Sequence, residues 1–276
     1  MRNLFVATLL AATLTAQAGG DHLPMGARFA GMGYSGLALT DLWSVRLNPA
    51  GLAGLEKPVV GAFYQQHYFA SELANQGLAA AIPLGKGTIA LGVDRFGYDL
   101  YNESQYSLAY AMRFGDGLRA AVQLDYLGVK LGDNYGSTSA VCAEFGIQAK
   151  LTDALWVAAH VYNPNRAELS TATEGAVTID EQVPTLLRGG FAYTFSTKLL
   201  MTAEVEKDID RPEQFRFGAE YNPNKVLFLR TGISTGPVKG HFGAGFRVKQ
   251  LDIDLAVSMR SQLGLTPMIG LNYRFE

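Results

Sequence analysis

The stretch LDIDLAVSMR, residues 251–260, decides the fold. Leu251, Ile253, Leu255, Val257 and Met259 alternate with Asp252, Asp254, Ala256 and Ser258. Side chains along a strand point to opposite faces in turn, so this order makes one face apolar and the other polar. A helix would scatter the same residues around its circumference, so the stretch predicts a β-strand.

The pattern recurs along most of the chain. Tyr106, Leu108, Tyr110, Met112 and Phe114 alternate with Gln105, Ser107, Ala109, Ala111 and Arg113. Val141, Ala143, Phe145, Ile147 and Ala149 alternate with Cys142, Glu144, Gly146, Gln148 and Lys150. Fourteen segments read this way, at 57–67, 74–83, 86–99, 103–114, 117–131, 137–151, 153–163, 182–196, 197–207, 211–222, 224–234, 237–248, 250–260 and 265–275, the first and eleventh alternating poorly. Each is about ten residues or longer, the length of a tilted strand crossing an outer membrane.

The connections point the same way. Every second link is a tight polar turn, as at Gly85-Lys86-Gly87, Gly115-Asp116-Gly117 and Asn222-Pro223-Asn224, and the others are longer, above all 163–181. Short turns at one end and longer loops at the other mark an outer-membrane barrel rather than a sandwich. The last strand alternates Ile269, Leu271, Tyr273 and Phe275 outward, an aromatic-rich ending of the kind that barrel-assembly machinery recognises, with Glu276 as one extra residue. The predicted fold is therefore an all-β, fourteen-stranded antiparallel transmembrane barrel over 57–276, with both termini on the periplasmic side.

The start of the chain fits export. Arg2 precedes an apolar run from Leu4 to Leu14 and the small-x-small triplet Ala16-Gln17-Ala18, which together read as a signal peptide over residues 1–18. Of 276 residues 48% are hydrophobic, yet no later run reaches the ~18 residues of a spanning helix, so the apolar content belongs in strands. A formal net charge of −2 without a basic block offers nothing to nucleic acid. The single Cys142 forms no internal disulfide.

A barrel of this size encloses more room than its own side chains fill. Residues 19–56 precede the first strand and are predicted to enter it as a short plug or hatch. Their motif comprises Gly31, Gly33, Gly36, Asp41, Asn48, Pro49 and Ala50, with Asp41 suited to cap a short helix and Pro49 holding Asn48 out of one. The spacing Gly31-x-Gly33-x-x-Gly36 also matches a dinucleotide loop, and Glu56 lies at the customary distance beyond it. No strand precedes these glycines and no parallel α/β pattern follows, so the cofactor reading is rejected and no cofactor is predicted.

The polar alternates are predicted to face the lumen. They form a mixed-sign set of Arg119, Asp125, Glu144, Arg188, Glu204, Arg216, Glu220, Arg247, Asp252 and Asp254, joined by Arg113, Lys150, Glu206, Arg260 and Arg274. Internal ion pairing is the ordinary use of such charges, and an ion path is the alternative. In the third strand Ile89, Leu91 and Val93 put odd numbers outward, whereas Phe96, Tyr98 and Leu100 would need even ones. A one-residue slip at Asp94 and Arg95, beside Gly97, accounts for the change as a bulge or kink, with a wall opening as the sharper reading. Of the four histidines, His22, His67, His160 and His241, none sits in a zinc or nucleophile motif, so neither an enzyme nor a metal site is predicted.

Gly26-Ala27-Arg28, Gly31-Met32-Gly33, Ala38 with Asp41, and Asn48-Pro49-Ala50-Gly51-Leu52 lead straight into the first strand. This segment resembles the N-terminal part shared by FadL-type fatty-acid transport barrels and the PorV/PorQ family of the type IX secretion system. The resemblance covers about thirty residues and implies fourteen strands with an N-terminal segment inside or beneath them. It also implies one of two non-enzymatic roles in the bacterial outer membrane. The compact loops favour an accessory or scaffold barrel for secretion or surface assembly, with a protein partner beside the membrane lipid. The apparent phase change favours the alternative, a passive FadL-like transporter of hydrophobic small molecules.

Overall fold

The computed structural model describes residues 24–132, 136–170 and 180–276; the expected signal peptide, residues 1–18, lies outside them. Sixteen strands follow one another: β1 Val59–Gln66, β2 Ala74–Leu84, β3 Gly87–Tyr98, β4 Tyr101–Phe114, β5 Leu118–Leu131, β6 Gly136–Lys150, β7 Leu155–Tyr162, β8 Glu168–Ser170, β9 Asp180–Gln182, β10 Leu186–Ser196, β11 Leu199–Asp208, β12 Gln214–Tyr221, β13 Leu227–Ser234, β14 Lys239–Val248, β15 Leu251–Arg260 and β16 Gly264–Arg274. Fourteen of them pair in sequence into one closed antiparallel barrel, and β8 with β9 forms a separate two-stranded ribbon in the longest loop. Closure is made by β1 on β16, from Val59 opposite Arg274 to Gln65 opposite Met268.

Alternation sorts the two faces. Leu78, Leu91, Leu108, Tyr110, Val122 and Leu124 are exposed on the outer wall, while Ala79, Ala90, Ala109, Ala111 and Ala121 of the same strands are buried inside. A continuous apolar exterior on a closed sheet is the surface that lipid solvates, because every backbone group inside the wall is already paired. The barrel end where β1 begins and β16 ends, the terminus end, has only short turns. At the opposite end two connections, 67–73 and 163–185, carry most of the extra length, and β3 joins β4 through Asp99 and Leu100 alone.

The slip expected in the third strand is absent. The ladders of β3 run unbroken from Leu84/Gly87 to Asn75/Phe96 on one side and from Gly87/Met112 to Tyr98/Tyr101 on the other. Phe96 keeps the inward phase of Asp94 because it has an apolar space to face, and Arg95 points out. The backbone is unusual only at Gly97, whose φ of 97° suits glycine and where a side chain would strike the Tyr101 carbonyl. Among the described ladders the register shift lies elsewhere, between Thr194 and Ser196 of β10.

A closed, fully hydrogen-bonded barrel resists detergent until heated. The unboiled protein is therefore expected to migrate differently from the boiled protein on a denaturing gel. Identical migration would contradict closure.

Candidate functional site: the lumen and its N-terminal segment

Residues 24–55 are folded against the inner wall. A short helix, Ala27–Gly31, is followed by two 3-10 turns, Leu42–Arg46 and Pro49–Gly54. Asp41 starts the first turn by accepting from the Trp43 amide (3.0 Å), and Asn48 starts the second by accepting from the Ala50 amide (3.1 Å). Pro49 occupies the first helical position, where its missing N–H costs nothing. Phe29, Met32, Trp43, Val45, Leu47 and Leu52 are fully or almost fully buried and form one cluster with the inward alanines of the wall.

Small residues on both partners set this approach. A Cβ on Gly31 would stand 3.0 Å from Gly243 Cα, and one on Gly243 3.1 Å from Gly31 Cα. A side chain on Gly232 or Gly218 would run into the backbone of Met32 and Gly33, and one on Gly146 into Asn48. Gly33 sits at φ 68°, and a Cβ there would lie 2.9 Å from the Phe217 carbonyl oxygen. Gly36 instead makes room for the ring of Phe29. The glycines of the G-x-G-x-x-G spacing are thus points of close contact with β12–β14 and within the segment.

The wall charges grip the same segment. Arg28 donates twice to Glu220 at 2.9 Å and also pairs with Asp41 at 3.1 Å. Glu220 in turn accepts from Arg230 at 2.6 Å, which pairs with Asp254 at 2.6 Å. Arg216 bridges Glu204 at 2.9 Å and Glu206 at 2.7 Å, and Arg188 completes this group through Glu206 at 2.6 Å. Arg188 also donates to the Leu47 carbonyl (3.2 Å), and the Leu37 amide donates to Glu204 (3.3 Å). Arg119 reaches Thr40 at 2.7 Å, while Gln123 and Gln148 donate to the carbonyls of Val45, Leu37 and Leu39. Asp125 accepts from Ser107 and Gln123, and Glu144 pairs with His160 at 2.7 Å. Arg247 and Asp252 lie apart from these groups, at the terminus-end rim with Arg274.

Several important side chains escaped the alternation reading. Arg230 belongs to β13, where Phe228 shares its inward face and spoils the expected contrast. His241 is buried between Ser234 (2.9 Å) and Ser258 (2.7 Å), with Tyr34 against its ring. Arg46, the second cation of the segment, faces Asp94 at 3.1 Å.

Above Arg46, toward the loop end, lies a cavity of about 270 Å³. Met25 and Arg46 bound it from the segment, Asn75, Asp94 and Phe96 from β2 and β3, and Leu127, Val129 and Tyr162 from β5 and β7. Tyr68, Leu73, Leu169 and Val183 close its loop side. Phe96 meets His67 edge to face at 6.1 Å. Burial, and after it the charge of Lys239, pushes the His67 imidazole down to about 4, so it is neutral at pH 7. Tyr68 and Phe69, in the turn over the cavity, hold φ values of 54° and 58°, a strained region for bulky residues. A second, more polar cavity of about 830 Å³ opens at the terminus end between Arg28, Asp41, Arg247, Asp252 and Arg274. Residues of the N-terminal segment separate the two.

The closed barrel is similar to solved structures of barrels described as toluene transporters and as a FadL homologue. The toluene transporter TbuX of Ralstonia pickettii aligns over 93% of this chain and 100% of its own, with a TM-score of 0.73 and 13% identity. The chain has the fold of these barrels. The toluene transporter TodX of P. putida gives 0.70 at 13% identity, covering 93% and 100%, and a Pseudomonas aeruginosa FadL homologue gives 0.61 at 11%, covering 91% and 98%. Neither a family model nor a curated protein sequence matches the chain. Among the described residues no cluster of His, Cys, Asp or Glu is arranged to hold a metal ion.

Removing one partner of a buried ion pair leaves the other uncompensated, at a cost of roughly 3–5 kcal/mol. Arg216→Met strips Glu204 and Glu206 of a shared cation and is expected to lower the unfolding free energy in detergent by about 3 kcal/mol. An unchanged denaturation midpoint would contradict the pairing.

Proposed function

We propose that this protein is a passive outer-membrane channel for small hydrophobic molecules, with residues 19–56 as its plug and both termini in the periplasm. The cavity above Arg46 carries the reading. It is half-open, walled mainly by apolar and aromatic side chains, and lies between the loop end and the buried segment. Ligand sites share that character: an apolar lining with a few converging polar groups. The likeness in fold to barrels described as toluene transporters supports the same direction. A secretion scaffold, the role first expected, draws no support from the cavity or from those likenesses.

A molecule entering past Tyr68 and Leu169 comes to rest on Met25 and Arg46 and goes no further while the segment is seated. Passage toward the terminus-end cavity requires the segment to shift. The ion pairs of Arg28 and Arg46 are among the contacts such a shift has to break. The protein itself supplies no energy source in this scheme, so movement follows the concentration gradient.

Cells carrying the protein in the outer membrane are expected to take up labelled toluene several-fold faster than cells with an empty vector. Leu127→Trp, which enlarges a half-buried side chain facing the cavity, is expected to return uptake to the vector level while the folded barrel still shows its heat-dependent gel shift. Equal uptake with and without the wild-type protein would overturn the proposal.

A further inference from the structure

The cavity is apolar over most of its wall and unsatisfied at one end. Arg46, Asn75 and Asp94 line that end and are 5%, 4% and 9% exposed. Arg46 Nε stands 3.1 Å from Asp94 Oδ1, but the two are not aligned for a hydrogen bond and neither atom has another partner. Arg46 Nη1 and Asn75 Oδ1 are likewise buried without a hydrogen bond. Such groups are normally paired, so an unpaired set converging on one cavity marks a place for a ligand's polar group.

We infer that the cavity takes a small neutral molecule with a hydroxyl group on an apolar ring, a monocyclic phenol being the simplest example. This rests on the channel reading and narrows its substrate class. The unpaired set contains both donors, on Arg46, and acceptors, on Asn75 and Asp94. A hydroxyl donates one hydrogen bond and accepts others, so it answers both kinds at once. A hydrocarbon answers neither. An ammonium group has no acceptor for the Arg46 N–H groups.

Charge excludes the carboxylate form of such a molecule. The cavity is lined by one cation, Arg46, against two carboxylates, Asp94 and Glu103. An added anion would meet more negative than positive charge. Size excludes long chains. At about 270 Å³ the space falls just below the usual range of ligand cavities, roughly 300 to 1,000 Å³. The rings of Phe96, His67, Tyr68 and Tyr162 around it suit a flat aromatic body.

The test uses three ligands that share one ring and methyl group: p-cresol, toluene and 4-methylbenzoate. Each is titrated calorimetrically into the full chain in lipid nanodiscs at pH 7, with empty nanodiscs subtracted. The expected result is p-cresol binding at least about tenfold tighter than the other two, the scale of one or two hydrogen bonds to charged groups. Asn75→Leu is expected to weaken p-cresol by about tenfold and leave toluene unchanged or tighter. Toluene or 4-methylbenzoate binding as tightly as p-cresol to the wild type overturns the hydroxyl assignment, and toluene binding on its own leaves the channel reading standing. Failure of all three to bind overturns both. If Asn75→Leu does not fold, the wild-type ligand series decides alone.

Discussion

Backbone amides in the hydrocarbon of a bilayer have no water to bond, so a spanning sheet must have no free edge. Here that constraint is met by one pairing, Val59–Gln65 on Met268–Arg274, and the rest of the structure follows from it. Closing fourteen strands fixes a lumen wider than the wall's own side chains fill. The sequence answers with alanine and glycine on the inner face of the wall and a buried apolar segment laid against them. Ala79, Ala90, Ala109, Ala111 and Ala121 leave the depth, and Gly218, Gly232 and Gly243 let two backbones touch.

Apolar contact alone would leave the segment free to slide. The polar contacts give it one position. Arg28 on Glu220, Arg188 on the Leu47 carbonyl and Gln148 on the Leu37 and Leu39 carbonyls hold it at separated points around the wall. The wall in turn places carboxylates where the segment brings cations, as Arg46 meets Asp94. Buried charges cost desolvation, and they hold together as pairs and triads with their hydrogen bonds made. At the Arg46 end that satisfaction lapses beside a cavity between the segment and the loops, and single atoms of Gln123, Asp125, His160 and Arg188 are also buried without a hydrogen bond.

Much of the barrel was legible because period-two alternation survives wherever lipid lies on one side and charge on the other. β15 is such a strand: Leu255 and Met259 are exposed, and Asp254 and Ser258 are buried. Legibility failed where the inner face is itself apolar. Phe96 faces the cavity above Arg46, so its inward position read as a slip of register, and Phe228 masked the inward phase of Arg230. The segment's glycines were legible as a motif, but not the wall glycines they meet. Those pairs are separated by about two hundred residues in sequence. The cavity was not legible at all, since it is assembled from β2, β3, β4, β5, β7, two loops and the segment.

The central claim is that the N-terminal segment lies inside the barrel in one register. Ala27 and Gly270 test it directly, because a Cβ built on Gly270 would lie 3.3 Å from that of Ala27, close to the spacing within a disulfide. In a Cys142→Ala background, Ala27→Cys with Gly270→Cys is predicted to form an intramolecular disulfide on mild oxidation of the folded protein. Pairing Ala27→Cys with a cysteine at the outward-facing Ile269 is predicted to form none. A folded, heat-shifting barrel whose two thiols at 27 and 270 both remain free would contradict the account.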